Sequence, residues 1–169
     1  MVPSTSPNPD KVTLIQLTTL IDAPIERCFD LSRSIDLHLL STHKTEEKAV
    51  AGVTSGLINK GESVTWEAVH FGIRQRLTTE IIEMDKPHIF IDVMVNGAFK
   101  SMHHEHWFEA TDDGTLMCDT FYYEVPYGIV GRLFDNLLLK AHMTRLLTER
   151  NEVIKKAAEG DLWKSLLTK

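Results

Sequence analysis

Apolar and polar residues alternate along most of this chain, and the period changes only near its C-terminal end. Residues 11–21 are rich in Val, Thr, Leu and Ile and predict a first strand. Asp22-Ala23-Pro24 then marks a helix start, with Asp22 as the N-cap and Pro24 in the first turn. Two short helices follow, over 25–31 and 34–40, the second capped by Ser34. Residues 44–51 predict a strand, and Gly52, Gly56 and Gly61 punctuate the loop after it. A meander then runs through strands at 62–70, 73–83, 88–95, 100–110 and 115–125. Its turns are Phe71-Gly72, Asp85-Lys86-Pro87, Asn96-Gly97 and Asp112-Asp113-Gly114.

Residues 128–158 contain no proline and shift to a helical period. Val130, Leu133, Phe134, Leu137, Leu138 and Ala141 form a stripe expected to face the core. It continues through Met143, Leu146, Leu147, Val153, Ile154 and Ala157. Asp135, Lys140, Arg145, Glu149 and Arg150 read as the solvated face, and Gly160 as the stop. A helix of roughly 30 residues is ~45 Å long. The order predicts an α+β fold of about seven antiparallel strands with one long C-terminal helix. Both apolar faces are buried if the sheet curves around the helix, and such a wrap leaves a cavity.

A length of 169 residues bounds this to one domain, expected over 11–160. Residues 1–10 carry three prolines and are expected to be a disordered tail; residues 161–169 are expected to be a second tail. The net charge of −6, with no basic run, argues against nucleic acid as a partner. No apolar run reaches the ~18 residues that membrane insertion needs. The N-terminal residues lack the pattern of a signal peptide, so a cytoplasmic protein is expected, with Cys28 and Cys118 as free thiols. The sequence carries no signal for oligomeric state.

Candidate chemistry concentrates in the stretch Met102-His103-His104-Glu105-His106-Trp107-Phe108. Alternation puts Met102, His104, His106 and Phe108 on one face and His103 and Trp107 on the other. Likewise Val64, Trp66, Ala68 and His70 are the inner set of their strand, and Met117, Asp119, Phe121, Tyr123 and Val125 that of the last. In 88–95 either set can face inward: Phe90, Asp92 and Met94, or the more aliphatic Ile89, Ile91, Val93 and Val95. Counting outward from the Asp112–Gly114 turn brings Asp119 within cross-strand or diagonal reach of His106 or His104. The expected cluster is therefore His70, His104, His106 and Asp119, with Trp66 as a wall; Asp92 joins only if its set faces inward. Such a cluster can satisfy its own hydrogen bonds, orient a ligand in an apolar cavity, transfer a proton, or hold a metal on the His-x-His pair with His70 or Asp119. His38 and His43 fall near the short helices, as surface or cavity-mouth residues. Gly128-Ile129-Val130-Gly131 lacks the remaining residues of a phosphate loop, and no nucleophile elbow is present.

Two stretches carry a resemblance to a known family. Thr19-Leu20-Ile21-Asp22-Ala23-Pro24-Ile25-Glu26-Arg27-Cys28-Phe29 is similar to the opening of the START/SRPBCC superfamily, and Thr115–Asp119 with Tyr123–Gly128 to its last strand and step into the helix. Val64–Ala68, His70-Phe71-Gly72, Gly97-Ala98-Phe99 and His104-Glu105-His106 resemble a bacterial ligand-binding subgroup of it. The resemblance implies the helix-grip fold, with two short helices after strand one. It also implies an internal cavity for a small hydrophobic or amphipathic ligand. Expected ligand-binding residues are Trp66, His70, His104, His106, Phe108, Asp119 and Phe121, with no metal and no cofactor. One alternative is a polyketide cyclase/dehydrase-like enzyme using His104, His106 and Asp119 for proton transfer. Another is a partner-binding or stress-response module with an incidental cavity.

Overall fold

The computed structural model describes residues 12–42 and 46–167. The expected tail over 1–10 and His43 lie outside the described residues. Seven strands form one antiparallel sheet in the order β1-β7-β6-β5-β4-β3-β2. They are β1 Thr13–Ile21, β2 Lys48–Gly52, β3 Ser63–His70, β4 Ile73–Asp85, β5 Ile89–Asn96, β6 Ser101–Thr111 and β7 Gly114–Glu124. Helices α1 (Ile25–Ser32) and α2 (Ile35–Ser41) follow β1. The long C-terminal helix comprises α3 (Gly128–Phe134), a π turn (Asp135–Leu139) and α4 (Lys140–Glu159).

Turn chemistry sets the register. Phe71 and Gly72 both have positive φ, the conformation a two-residue type I′ hairpin requires, and His70 pairs with Ile73. At the β6–β7 tip Asp112 and Asp113 form the loop and Thr111 pairs with Gly114. Gly114 has φ +122°, and a Cβ there would meet the Ile21 carbonyl oxygen at 2.2 Å. Only glycine fits, so this hairpin has one available register. Buried residues alternate with less buried ones along β7 and over 101–109 of β6, as that register requires.

The core divides into two clusters. One packs Phe29 of α1 edge-on against Phe90 and Phe108, with Met117, Ile154 and Ala157 around them. The other gathers Ile15, Met102, Phe121, Tyr123 and Leu147. In β5 the set containing Phe90, Asp92 and Met94 is the one that meets these clusters and the inner face of β6. The aliphatic set would otherwise have been the natural choice. Ile89 and Ile91 are nonetheless buried, so the strand is covered on both sides at its start.

The ends of several elements differ from expectation. The N-cap of α1 is Pro24, whose extended backbone starts the helix with no side-chain cap. Asp22 instead donates its backbone N–H to Glu159, tying the β1–α1 step to the end of α4. Ser34 caps α2 as expected, accepting from the Leu37 N–H at 3.2 Å. Residues 162–167, expected as tail, form a short helix, α5 (Leu162–Leu167). Its Trp163 ring carries the Arg27 guanidinium 4.1 Å from its centroid, and Leu166 and Leu167 pack on the first cluster.

The long helix departs most from its expected orientation. Val130, Leu133, Phe134, Leu137 and Leu138 are exposed, while Asp135 and Arg150 are buried. The residues turned toward the sheet recur every fourth position: Gly131, Asp135, Leu139, Met143, Leu147 and Asn151. An α-helix advances about 100° per residue, so each such step drifts about 40°. The wider π turn at Asp135–Leu139 takes up part of that drift and keeps this line against the sheet. Asp135 accepts hydrogen bonds from the Tyr123 and Thr13 hydroxyls, which explains how a carboxylate stays buried there.

Candidate functional site

Between the sheet, α2 and α4 lies a cavity of about 180 Å³, and adjoining it, toward α3, a second lobe of about 400 Å³. Trp66, His70, Leu77, Phe99 and Met143 line both. The larger lobe is closed by Ala68, Phe71, Val125 and Phe134. The exposed lining is largely apolar; one polar group of the smaller lobe is Asp92, His104 and His106 on β5 and β6 with Arg150 of α4, and a second, including Ser34, His38 and Glu47, lies by α2.

The strand register builds the first of these polar groups. His106 lies directly opposite Asp119 on β7, and His104 directly opposite Asp92 on β5. His104 Nε2 is 3.1 Å from Asp119 Oδ1, and His106 Nδ1 is 2.7 Å from the same oxygen. His106 Nε2 is 3.1 Å from Asp92 Oδ1, and His104 Nδ1 3.9 Å. The rings are packed in place. His106 stacks on Phe90 with centroids 4.1 Å apart, and His104 stands edge-on to Phe121. Asp119 is completed from the helix. Arg150 Nη1 lies 3.3 Å from Oδ1, and Asn151 Nδ2 donates to Oδ2 at 2.7 Å. Arg150 also donates to the Ser32 carbonyl at the end of α1. Two strands, the long helix and α1 therefore meet on one carboxylate.

The electrostatics follow from this packing. Burial by itself would raise the Asp119 carboxyl. The imidazoles of His104 and His106 and the charge of Arg150 outweigh it and hold Asp119 well below the usual carboxylate range. Asp92 is likewise held down: burial opposes, while His106, His104 and Arg150 prevail. Burial and the neighbouring His106 push His104 down to about 4, against the pull of both carboxylates. His104 is therefore neutral at pH 7.

The expected cluster assembles, with changes. His104 and His106 line the cavity; Asp119, 1% exposed, sits behind them and does not. Trp66 is a wall as expected, and the His38 ring lies over it at 4.2 Å while its Nε2 is 2.7 Å from Glu47. Phe121 lines the cavity. Phe108 does not line it; it is part of the aromatic core beneath. His70 lines the cavity, but its partner is His142 of α4, at 3.2 Å, rather than the His104–His106 pair. Asp92 is a full member, because it faces inward and contacts His106.

Arg150 and Asn151 were absent from the expected site, and Arg150 stood on the solvated face. The signal was there in their spacing: Asn151 falls on the same line as Leu147 and Ile154, and a polar pair inside an apolar line needs a buried partner.

No family model and no curated protein matches this chain by sequence. Solved structures do. TTHA0849 from Thermus thermophilus has a TM-score of 0.67 at 22% identity, over 86% of this chain and 99% of that one. The ginseng major latex-like protein 151 from Panax ginseng has a TM-score of 0.65 at 15% identity, over 88% and 99%. The di-domain ARO/CYC StfQ from the steffimycin biosynthetic pathway has a TM-score of 0.70 at 9% identity, over 89% of this chain and 51% of that one. At these identities the likeness establishes the fold: this chain has the helix-grip fold that its resemblance to the START/SRPBCC superfamily implied. No helix among the described residues is long and apolar enough to cross a membrane.

Proposed function

We propose that this protein binds a small hydrophobic or amphipathic ligand in the cavity between the sheet and the long helix. The observation that carries this reading is the cavity itself: a largely apolar space of useful size, whose smaller lobe holds Asp92, His104 and His106 and whose larger lobe is walled by Ala68, Phe99, Val125 and Phe134. That distribution suits a ligand whose apolar body fills the lobe near Phe99 and Phe134 and whose polar end meets His104, His106 and Asp92. Trp66, His70 and Phe121 supply wall contacts. Asp119 acts through the imidazoles, as a positioning residue. Native mass spectrometry of freshly purified protein should show a retained small molecule. Anilinonaphthalene sulfonate should bind with one site per chain, and Ala68→Phe, which fills the larger lobe, should weaken it by about tenfold or more. Undiminished binding by a folded Ala68→Phe variant would sink the reading.

A second reading, cyclase/dehydrase-like proton transfer, draws support from two imidazoles beside a carboxylate on the cavity wall. The fold likeness to StfQ adds to it. His106→Phe would then abolish turnover of an aromatic polyketide-like substrate while leaving its binding within a few fold. Equal loss of binding and turnover would return the residue to ligand orientation.

A further inference from the structure

We propose that Asp92, His104 and His106 form a binding site for a divalent transition-metal ion, of the zinc or cobalt class, in the smaller lobe of the cavity. Two imidazole nitrogens and a carboxylate oxygen lie within 4.8 Å of one another there. In a tetrahedral site with bonds of about 2.0–2.1 Å, neighbouring donors are ~3.3 Å apart. Asp92 Oδ1 stands 3.1 Å from His106 Nε2 and 3.9 Å from His104 Nδ1, on either side of that spacing. The two ring nitrogens lie within 4.8 Å of each other, so seating an ion draws them together by up to about 1.5 Å while the Asp92 contacts change by a few tenths.

The ring orientations favour it. One carboxylate, Asp119, faces the far nitrogen of both rings, His104 Nε2 and His106 Nδ1. His104 Nε2 hydrogen-bonds Asp119, which leaves the His104 Nδ1 lone pair directed toward Asp92; His106 Nε2 hydrogen-bonds Asp92 at 3.1 Å, and an ion there would take the place of that proton, which moves to Nδ1. A carboxylate behind each histidine ligand is the arrangement that fixes tautomer and raises ligand basicity at metal sites. Asp119 is itself clamped by Arg150 and Asn151 and cannot swing in as a competing ligand.

His106 supplies the second observation. Its Nδ1 is fully buried and 2.7 Å from Asp119 Oδ1, yet off the angle of a hydrogen bond, so it has no satisfied partner. Both its nitrogens face carboxylate oxygens. A neutral ring carries one proton and must present a lone pair to one of them, which is repulsive. A cation between His106 Nε2 and Asp92 removes that conflict. Charge argues the same way: Asp92 and Asp119 against Arg150 leave one net negative charge when both imidazoles are neutral. The mixed nitrogen–oxygen donor set suits zinc or cobalt better than calcium or magnesium, which take oxygen. The remaining coordination position faces the cavity.

The test uses metal alone, so it is independent of the ligand reading. Purified full-length protein is stripped with chelator and titrated with Zn²⁺ by calorimetry and with Co²⁺ by visible absorption. One ion per chain should bind at micromolar concentration or below, and Co²⁺ should show the intense bands of a four- or five-coordinate ion. Asp92→Asn, which keeps the side-chain shape, should weaken binding by about tenfold or more, and Asp119→Asn by about 10–100-fold. His103→Gln, on the opposite face, should change nothing. Absence of binding, or binding that survives in Asp92→Asn, overturns the proposal.

Discussion

The two halves of the long C-terminal helix solve opposite problems. Over α4, charged and amide side chains are inside. Arg150 and Asn151 reach through the apolar layer to Asp119 and anchor the helix to the sheet. Over α3 and the π turn, large aliphatic side chains are outside: Val130, Leu133 and Leu137 are 75%, 60% and 68% exposed. That half is held to the sheet by Asp135, which accepts from Tyr123 of β7 and Thr13 of β1, while Gly131 packs closely on the Pro126 carbonyl of the β7–α3 link. The comparison separates two jobs. Polar anchors fix where the helix lies, while the neighbouring cavity leaves its first half with little core to bury against. Period alone identifies a helix, and it does not say which side of it is wet.

The sharpest way to break the comparison is at Arg150. Arg150→Met leaves Asp119 buried beside Asp92 with its cation gone, and should lower unfolding free energy by about 3–5 kcal/mol in urea denaturation. A loss below ~1 kcal/mol would mean that α4 is held by its apolar contacts alone. Next comes Asp135→Ala, which orphans the Tyr123 and Thr13 hydroxyls and should cost about 1–3 kcal/mol. Amide exchange should rise more over 128–139 than over 140–159; uniform acceleration would show that the two halves open as one unit. The smallest effect belongs to the outer face. Leu133→Ser with Leu137→Ser should change stability by no more than about 0.5 kcal/mol per site. A larger loss, falling off on dilution, would show that this face is covered by another chain in solution.

The strands and the hairpin that builds the site were legible in the sequence because alternation and turn chemistry are local signals. Met102, His104, His106 and Phe108 share a face for the same reason that Met117, Asp119 and Phe121 do, and one glycine aligns them. Asp92 was not settled locally: Ile89, Ile91 and Val93 make the more apolar set, and only burial on both sides of β5 explains how Phe90 and Asp92 turn inward. Phe108 shares the inner face as expected, but α1 covers that end of the sheet, and nothing in β6 reports where α1 lies. The first half of the helix failed for a physical reason as well. A π turn shifts phase midway, so a stripe extrapolated at one period lands on the wrong side.

The tip of the β6–β7 hairpin looks like the natural place to splice in a tag or a sensor. It is exposed, short and polar, the kind of surface loop that usually tolerates insertion. Here the cost of misalignment is total. Sliding β7 by one residue against β6 would turn Asp119 to the outer surface and present Cys118 or Thr120 to the imidazoles. Arg150 and Asn151 would then be left without their anchor. The two-residue loop and Gly114 thus act as a jig for a site some five residue pairs away.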